Sequence, residues 1–214
     1  MHVLITGANR GIGARLAADY AARGDRVMAT SRDGSTGVAL DVTDPGAHGA
    51  LAAQLGTSPL DLLICNAGVY LDKGQTLDDG YGPDMWADTF AANVTGVFLT
   101  IQSVLANLRA APAAKIAIIS SQMGSDTRAP GGSYIYRASK AAVLNLGRNL
   151  ASDLAGDRIA VGIYHPGWVR TDMGSSAAEI SVEESASGLM ARFDHLSLDT
   201  TGCFETWDGR THPY

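Results

Sequence analysis

Residues 2–13 read His2-Val3-Leu4-Ile5-Thr6-Gly7-Ala8-Asn9-Arg10-Gly11-Ile12-Gly13. The segment from His2 to Thr6 has the length and apolar content of a short buried strand, and a helical pattern running to about Gly24 follows the glycines. A strand, a tight glycine turn and a helix start make a cradle for phosphate. The backbone can approach the ligand closely there, and the helix N-terminus offers free N–H groups and a partial positive charge. The spacing is Gly-x-x-x-Gly-x-Gly, not the more familiar dinucleotide fingerprint. In a chain with 25 glycines the same spacing also arises as an ordinary strand-to-helix turn. Its place directly after the first strand favours cofactor binding by Gly7, Asn9, Arg10, Gly11, Ile12 and Gly13.

The second strand pattern covers Arg26 to Ser31. At this point an NAD site usually presents an acid to the ribose hydroxyl. Here Ser31 and Arg32 stand instead. Arg32, with Arg10 from the glycine loop, would suit a 2′-phosphate and favours NADP(H) over NAD(H); the other reading makes both arginines solvated surface residues. Val38 to Val42 reads as a third strand that includes Asp41, itself open to a simpler reading as a turn former. Asp44 and Pro45 then read as the cap and first residue of a helix to about Leu55. Leu60 to Cys65 is continuously apolar, as in a strand covered on both faces, and ends in Asn66-Ala67-Gly68. Strands alternating with helices predict a single-domain α/β fold with a doubly wound, Rossmann-type parallel sheet.

Pro83 opens what reads as one long helix to about Arg109, its apolar positions including Trp86, Phe90, Val94, Phe98 and Leu105. Asn93 lies mid-helix, where its amide competes for backbone bonds; it is either a satisfied core amide or a residue kept for the site. Lys115 to Ser121 predicts a fifth strand. Its alternation lets only one of Ser120 and Ser121 face the next helix. That helix carries Tyr136-x-x-x-Lys140, a spacing that puts both side chains on one face. A free tyrosine titrates near about 10, and an adjacent ammonium favours the phenolate. The pair reads as a tuned acid/base, although the spacing also occurs on plain helix surfaces. Arg158 to Tyr164 predicts a sixth strand, Ser181 to about His195 a helix, and Thr201 to Thr206 an edge strand. Trp168 reads equally as substrate-facing or as packed core.

A length of 214 residues suits one domain. The formal charge of −6, with no Lys/Arg cluster, argues against nucleic acid or a membrane surface as partner. Cys65 and Cys203 lack metal or redox spacing, no metal site is expected, and a reduced cytoplasmic setting is the simpler reading. The chain shows neither a basic-then-apolar leader nor an apolar run of membrane-spanning length.

Thr6-Gly7-x-x-x-Gly11-x-Gly13, Asp41-Val42, Asn66-Ala67-Gly68, Asn93-Val94-Thr95-Gly96, Ser121, Tyr136-x-x-x-Lys140 and Pro166-Gly167-Trp168-Val169-Arg170-Thr171 occur in order along nearly the whole chain. In this it resembles the short-chain dehydrogenase/reductases. The segments around Tyr136 and His165 to Gly174, with the later Glu183-Glu184-Ser185, are similar to the branch holding the bacterial C-factor and small carbonyl reductases. The resemblance implies hydride transfer between nicotinamide and a small carbonyl or alcohol substrate. It implies Tyr136 as general acid/base, Lys140 holding the nicotinamide ribose, Ser121 polarising the carbonyl, and Asn93 holding a water in a relay that ends at Lys140. It further implies that Gly7, Arg10 and Ile12 line the pyrophosphate and adenosine side and that Asp41 and Val42 line adenine. Asn66, Ala67 and Gly68 would form the wall toward the ribose, and Pro166, Gly167, Val169 and Thr171 would line the nicotinamide. Tyr134, with no lysine four residues on, is expected in packing or in the substrate pocket. The stretch 172–196, where the family forms its substrate lid, is short here and implies an open, broadly selective pocket. Helices around Phe98 and Leu146 resemble those that pair family members into homodimers or homotetramers. The alternative function is a dinucleotide-binding signalling or scaffold protein with little turnover; an isomerase or dehydratase is a third.

Overall fold

A computed structural model of the chain describes residues 1–78, 80–174 and 177–214. Four strands are buried along nearly their whole length because both of their faces are apolar: β1 (His2–Ile5), β4 (Leu62–Cys65), β5 (Lys115–Ile119) and β6 (Ala160–His165). With β2 (Arg26–Ser31), β3 (Val38–Ala39) and β7 (Phe204–Thr206) they form one seven-stranded sheet of order β3-β2-β1-β4-β5-β6-β7. Every adjacent pair is parallel. This is the doubly wound sheet that the alternating pattern predicts.

Strand alternation divides the core into two layers. Val3, Ile5, Ile64 and Ala117 face α1 (Gly11–Ala22) and α7 (Val182–His195), which contribute Leu16, Tyr20, Leu189 and Phe193. Leu4, Leu63, Ile116 and Ile118 face the opposite layer. It holds α2 (Pro45–Leu55), α4 (Gly96–Ser103), α5 (Leu105–Ala110) and α6 (Tyr134–Leu154), through Leu51, Ile101, Leu108 and Val143. Cys65 lies in this second layer, and burial pushes its thiol up to about 12. The order of strands reverses between β1 and β4. A crevice therefore opens at their carboxyl ends, where this class of sheet holds its ligands.

Besides β3, which ends at Ala39 rather than Val42, and β7, which begins at Phe204 rather than Thr201, three expectations need correction. The single helix from Pro83 to about Arg109 is interrupted. After α3 (Pro83–Phe90) comes a π-helical turn, Ala91–Thr95, and α4 and α5 are separated at Val104, whose φ of −110° and ψ of 11° leave the helical region. The π-turn holds Asn93, whose amide is bonded to Val69 and Ser139, so tertiary bonds sustain the irregular turn. Second, β5 stops at Ile119. Ser121 then caps the 3-10 turn Gln122–Gly124 by accepting from Met123 N at 3.1 Å. With strand alternation ended there, both serine hydroxyls can reach α6. Third, β6 begins at Ala160 rather than Arg158, because Arg158 is left-handed, with φ 59°, and closes the turn after α6.

Among the described residues, no helix is long and apolar enough to cross a membrane. Phe98 is exposed on α4, while Leu146 is half-buried against the core. Leu63 is fully buried at the centre of the sheet. Leu63→Ala is expected to cost about 2–5 kcal/mol and to lower the melting temperature by roughly 5–15 °C, read by thermal denaturation.

Candidate active site

The glycine loop is held from the neighbouring strand. Thr6 Oγ1 accepts from Asn66 N and Ala67 N, each at 3.0 Å. Asn66 Nδ2 returns two bonds of 3.0 Å, to the carbonyls of Thr6 and Gly7. Gly13 is required by this closeness: a Cβ there would lie 2.4 Å from both Asn66 Nδ2 and the Gly7 carbonyl. The first turn of α1 has no side-chain cap and no acidic residue. By contrast, Asp44 caps α2, and a Ser181–Glu184 capping box closes α7. The uncapped N–H groups of α1 therefore fit a dinucleotide's phosphates. Asn9 and Arg10 are exposed on this loop, Gly11 lies against Thr171, and Ile12 packs toward the α1 layer.

The arginines expected at the 2′-phosphate are in different situations. Arg10 is ion-paired with Asp172, across the loop from the end of β6. Arg32 is exposed beyond β2, close enough to Asp41 to favour its charged form. Ser31 is buried, and its hydroxyl donates to Asp33 Oδ1 at 2.9 Å. Asp33 also accepts from Ser35 N and Oγ, and these bonds hold its carboxyl at about 2. An ionised carboxylate thus stands beside Arg32. Asp41 accepts from Thr43 N at 2.9 Å and from Thr43 Oγ1 at 2.7 Å, the geometry of a turn former. Val42 is half-buried against the second layer.

Across the switch point, Asn93, Ser121, Tyr136 and Lys140 come together. Asn93 Oδ1 accepts from Val69 N at 2.8 Å, while its Nδ2 donates to the Val69 carbonyl at 2.9 Å and to Ser139 Oγ at 3.0 Å. Both amide hydrogens are used, so the side chain works as a brace between the segment after β4 and α6. Gly68 lies beside Asn93 Oδ1 and Lys140 Nζ. Ser120 Oγ donates to the Lys140 carbonyl at 3.0 Å, and Ser121 lies near enough to the Tyr136 side chain to favour its ionised form, so both serines face α6. Gly124 lets them do so: a Cβ there would fall 2.6 Å from Lys140 C.

Burial dominates the electrostatics. Tyr136 is pushed up to about 12, first by burial and then by Tyr70 and Asp72, with Ser121 opposing. This reverses the expected downward shift. Lys140 Nζ lies 5.6 Å from the Tyr136 ring centre and donates instead to the Ile119 carbonyl at 3.0 Å. Burial lowers Lys140 to about 8. The phenol is consequently held in its protonated form, as a proton donor requires.

Two residues near Tyr136 were missed. Tyr70 stacks on it with ring centres 4.2 Å apart and bonds Ser133 through its hydroxyl. Asp72, wholly buried, accepts from Ile135 N and Tyr136 N. In the sequence Asp72 sits in a polar loop with Asp78 and Asp79, and nothing there sets it apart. Tyr134 is exposed, edge-on to Tyr81 at 5.2 Å. Trp168 is 45% exposed rather than packed in the core, and its Nε1 donates to Gly174.

The carboxyl end of β6 forms the remaining wall. The Pro166 carbonyl accepts from Ser185 Oγ at 2.6 Å, Gly167 has φ 89°, Val169 is buried and bridges to Ile180, and Thr171 Oγ1 accepts from Gly174 N. Lys73 Nζ reaches the Met173 carbonyl at 3.1 Å, tying this segment to the loop after β4. The expected lid, 172–196, includes α7, which covers the sheet beside α1; residues 175 and 176 lie outside the described residues. Among the described residues no group of three His, Cys, Asp or Glu is placed to hold a metal ion.

The buried amine sets a pH-dependent cost. Lys140 falls from 10.5 to about 8 on folding, so its cost to stability is full below about 8 and fades as pH rises toward 10.5. Lys140→Met should raise the melting temperature by a few degrees near neutrality, and the gain should shrink in alkaline buffer. Melting curves of both proteins across that range check it; an unchanged difference would exclude the buried charge as its source.

A protein 35% identical over 166 residues, covering 77% of this chain and 99% of its own, is the C-signal of Myxococcus xanthus. A second, 34% identical and covering 97% of this chain and 96% of its own, is the 1-hydroxy-2-glutathionyl-2-methyl-3-butene dehydrogenase of a Rhodococcus species. The crystal structure of NADPH-bound carbonyl reductase from chicken fatty liver superposes with a TM-score of 0.91 at 31% identity, covering 100% of this chain and 98% of that one. The family model for short chain dehydrogenase matches residues 1–180, and the chain belongs to that family of oxidoreductases.

Proposed function

We propose that the protein is an NADP(H)-dependent oxidoreductase that interconverts a small carbonyl compound and its alcohol, with Tyr136 as general acid/base. One observation carries the reading: a buried tyrosine, kept protonated and close to Ser121, stands with Lys140 at the carboxyl end of the sheet, across the switch point from an uncapped glycine-loop helix. The bound dinucleotide supplies or takes up the hydride. Ser121 donates to the substrate carbonyl oxygen, orienting it and drawing charge onto it. Tyr136 passes its proton to that oxygen as the alkoxide forms, and in the reverse direction takes it back. Lys140 binds the nicotinamide ribose and, once drawn away from the Ile119 carbonyl, supports the tyrosinate. Asn93 keeps the segment after β4 in register with α6, and a relay water would be held by its main chain, since its amide hydrogens are taken.

NADPH consumption is to be followed across aldehydes, ketones, diketones and quinones. Tyr136→Phe is expected to lower turnover by roughly 10²-fold or more; near wild-type turnover in that variant would remove Tyr136 from the mechanism. Cofactor binding with no turnover on any carbonyl would favour the signalling or scaffold reading.

Preference for the 2′-phosphate is assigned to Arg32, the exposed guanidinium beyond β2, with Arg10 joining once released from Asp172. The NADPH in the chicken carbonyl reductase supports this choice. Arg32→Ala should raise the KM for NADPH by roughly tenfold and leave that for NADH near its starting value. Equal losses with both cofactors would assign Arg32 to the shared part of the dinucleotide.

A further inference from the structure

We propose that Asp72 is a positioning residue for Tyr136: a buried carboxylate from the loop after β4 anchors the first turn of α6 and so fixes the phenol's place. This rests on the reading of Tyr136 as the acid/base.

Asp72 is 0% exposed, and among the described residues no lysine, arginine or histidine forms an ion pair with it. A buried charge without a counter-ion persists only where hydrogen bonds replace water. Asp72 Oδ2 accepts from Ile135 N at 2.8 Å, and Oδ1 accepts from Tyr136 N at 3.2 Å. These are first-turn N–H groups of α6, which has no side-chain cap of its own. Its N-cap residue, Ser133, is left-handed at φ 50° and shares its hydroxyl with Tyr70 instead. The cap is therefore imported from 63 residues away in sequence. Tyr70, two residues before Asp72, stacks on the ring whose main chain Asp72 holds. One loop thus grips the tyrosine at both backbone and ring.

Among the described residues, Ser121 from the turn after β5, Tyr70 and Asp72 from the loop after β4, and Lys140 from α6 itself face Tyr136. Of these, Ser121 favours ionisation, while Tyr70 and Asp72 oppose it. Removing the Asp72 charge should therefore make the phenol easier to ionise.

The test compares Asp72→Asn, which keeps shape and one acceptor but loses charge, with Asp72→Glu, which keeps charge but shifts the bonds. Alcohol oxidation needs the tyrosinate, so its rate rises with pH as Tyr136 loses its proton. In Asp72→Asn that rise should move to lower pH by roughly one unit. Its kcat should fall roughly tenfold, with little change in KM. Asp72→Glu should lower kcat and leave the pH position unchanged. Amide hydrogen exchange supplies a readout independent of turnover: Ile135 and Tyr136 should exchange roughly tenfold faster in Asp72→Asn, with Ala151 in the same helix unaffected. A wild-type protein without turnover would defeat the proposed function, and exchange would still decide whether the anchor exists. Unchanged exchange, or an unmoved pH profile with kcat near wild type, overturns the positioning role. Unfolding of both variants would make Asp72 a general framework residue and overturn it as well.

Discussion

Thr6 and Asn66 join the carboxyl ends of β1 and β4 by four hydrogen bonds of 3.0 Å at the point where the strand order reverses. Much of the site hangs from this junction. On one side it shapes the glycine turn and aims the free N–H groups of α1 into the crevice. On the other it sets the start of the segment that carries Gly68, Val69, Tyr70 and Asp72 to Asn93 and α6. Because all the bonds involve the backbone of at least one partner, the junction specifies the path of both loops.

Burial then decides the electrostatics of the polar cluster. It acts on Tyr136 and Lys140 in opposite directions, raising one to about 12 and lowering the other to about 8, because in both cases it disfavours the charged form. The proposed proton donor thereby keeps its proton and stays neutral, and among the described residues the amine donates to the Ile119 carbonyl alone. Such a site lowers the stability of the fold in return for readiness to bind a ligand that satisfies the amine.

The strands and the site motifs were legible because each depends on local chemistry. Apolar runs with helices between them require a parallel sheet covered on both faces, and Gly13 announces a close approach before its partner, Asn66, is known. The interruption of the helix after Phe90 was not legible. The pattern from Trp86 to Leu105 keeps helical spacing throughout, and the π-turn exists because Asn93 is bonded to Val69 and Ser139, both distant in sequence. The serine pair was misjudged for a related reason: alternation holds only inside a strand, and β5 ends one residue before Ser120.

What the amino-acid order determined by itself is the layered fold and the set of reactive side chains, since hydrophobic period and glycine placement act over a few residues. Only tertiary structure decided their state. Whether Tyr136 is raised or lowered, whether Arg10 is free or paired with Asp172, and which of several loop aspartates is buried at the start of α6 depend on groups brought together from distant segments. Desolvation and charge act through space, and the distances that govern them do not exist until the chain has folded.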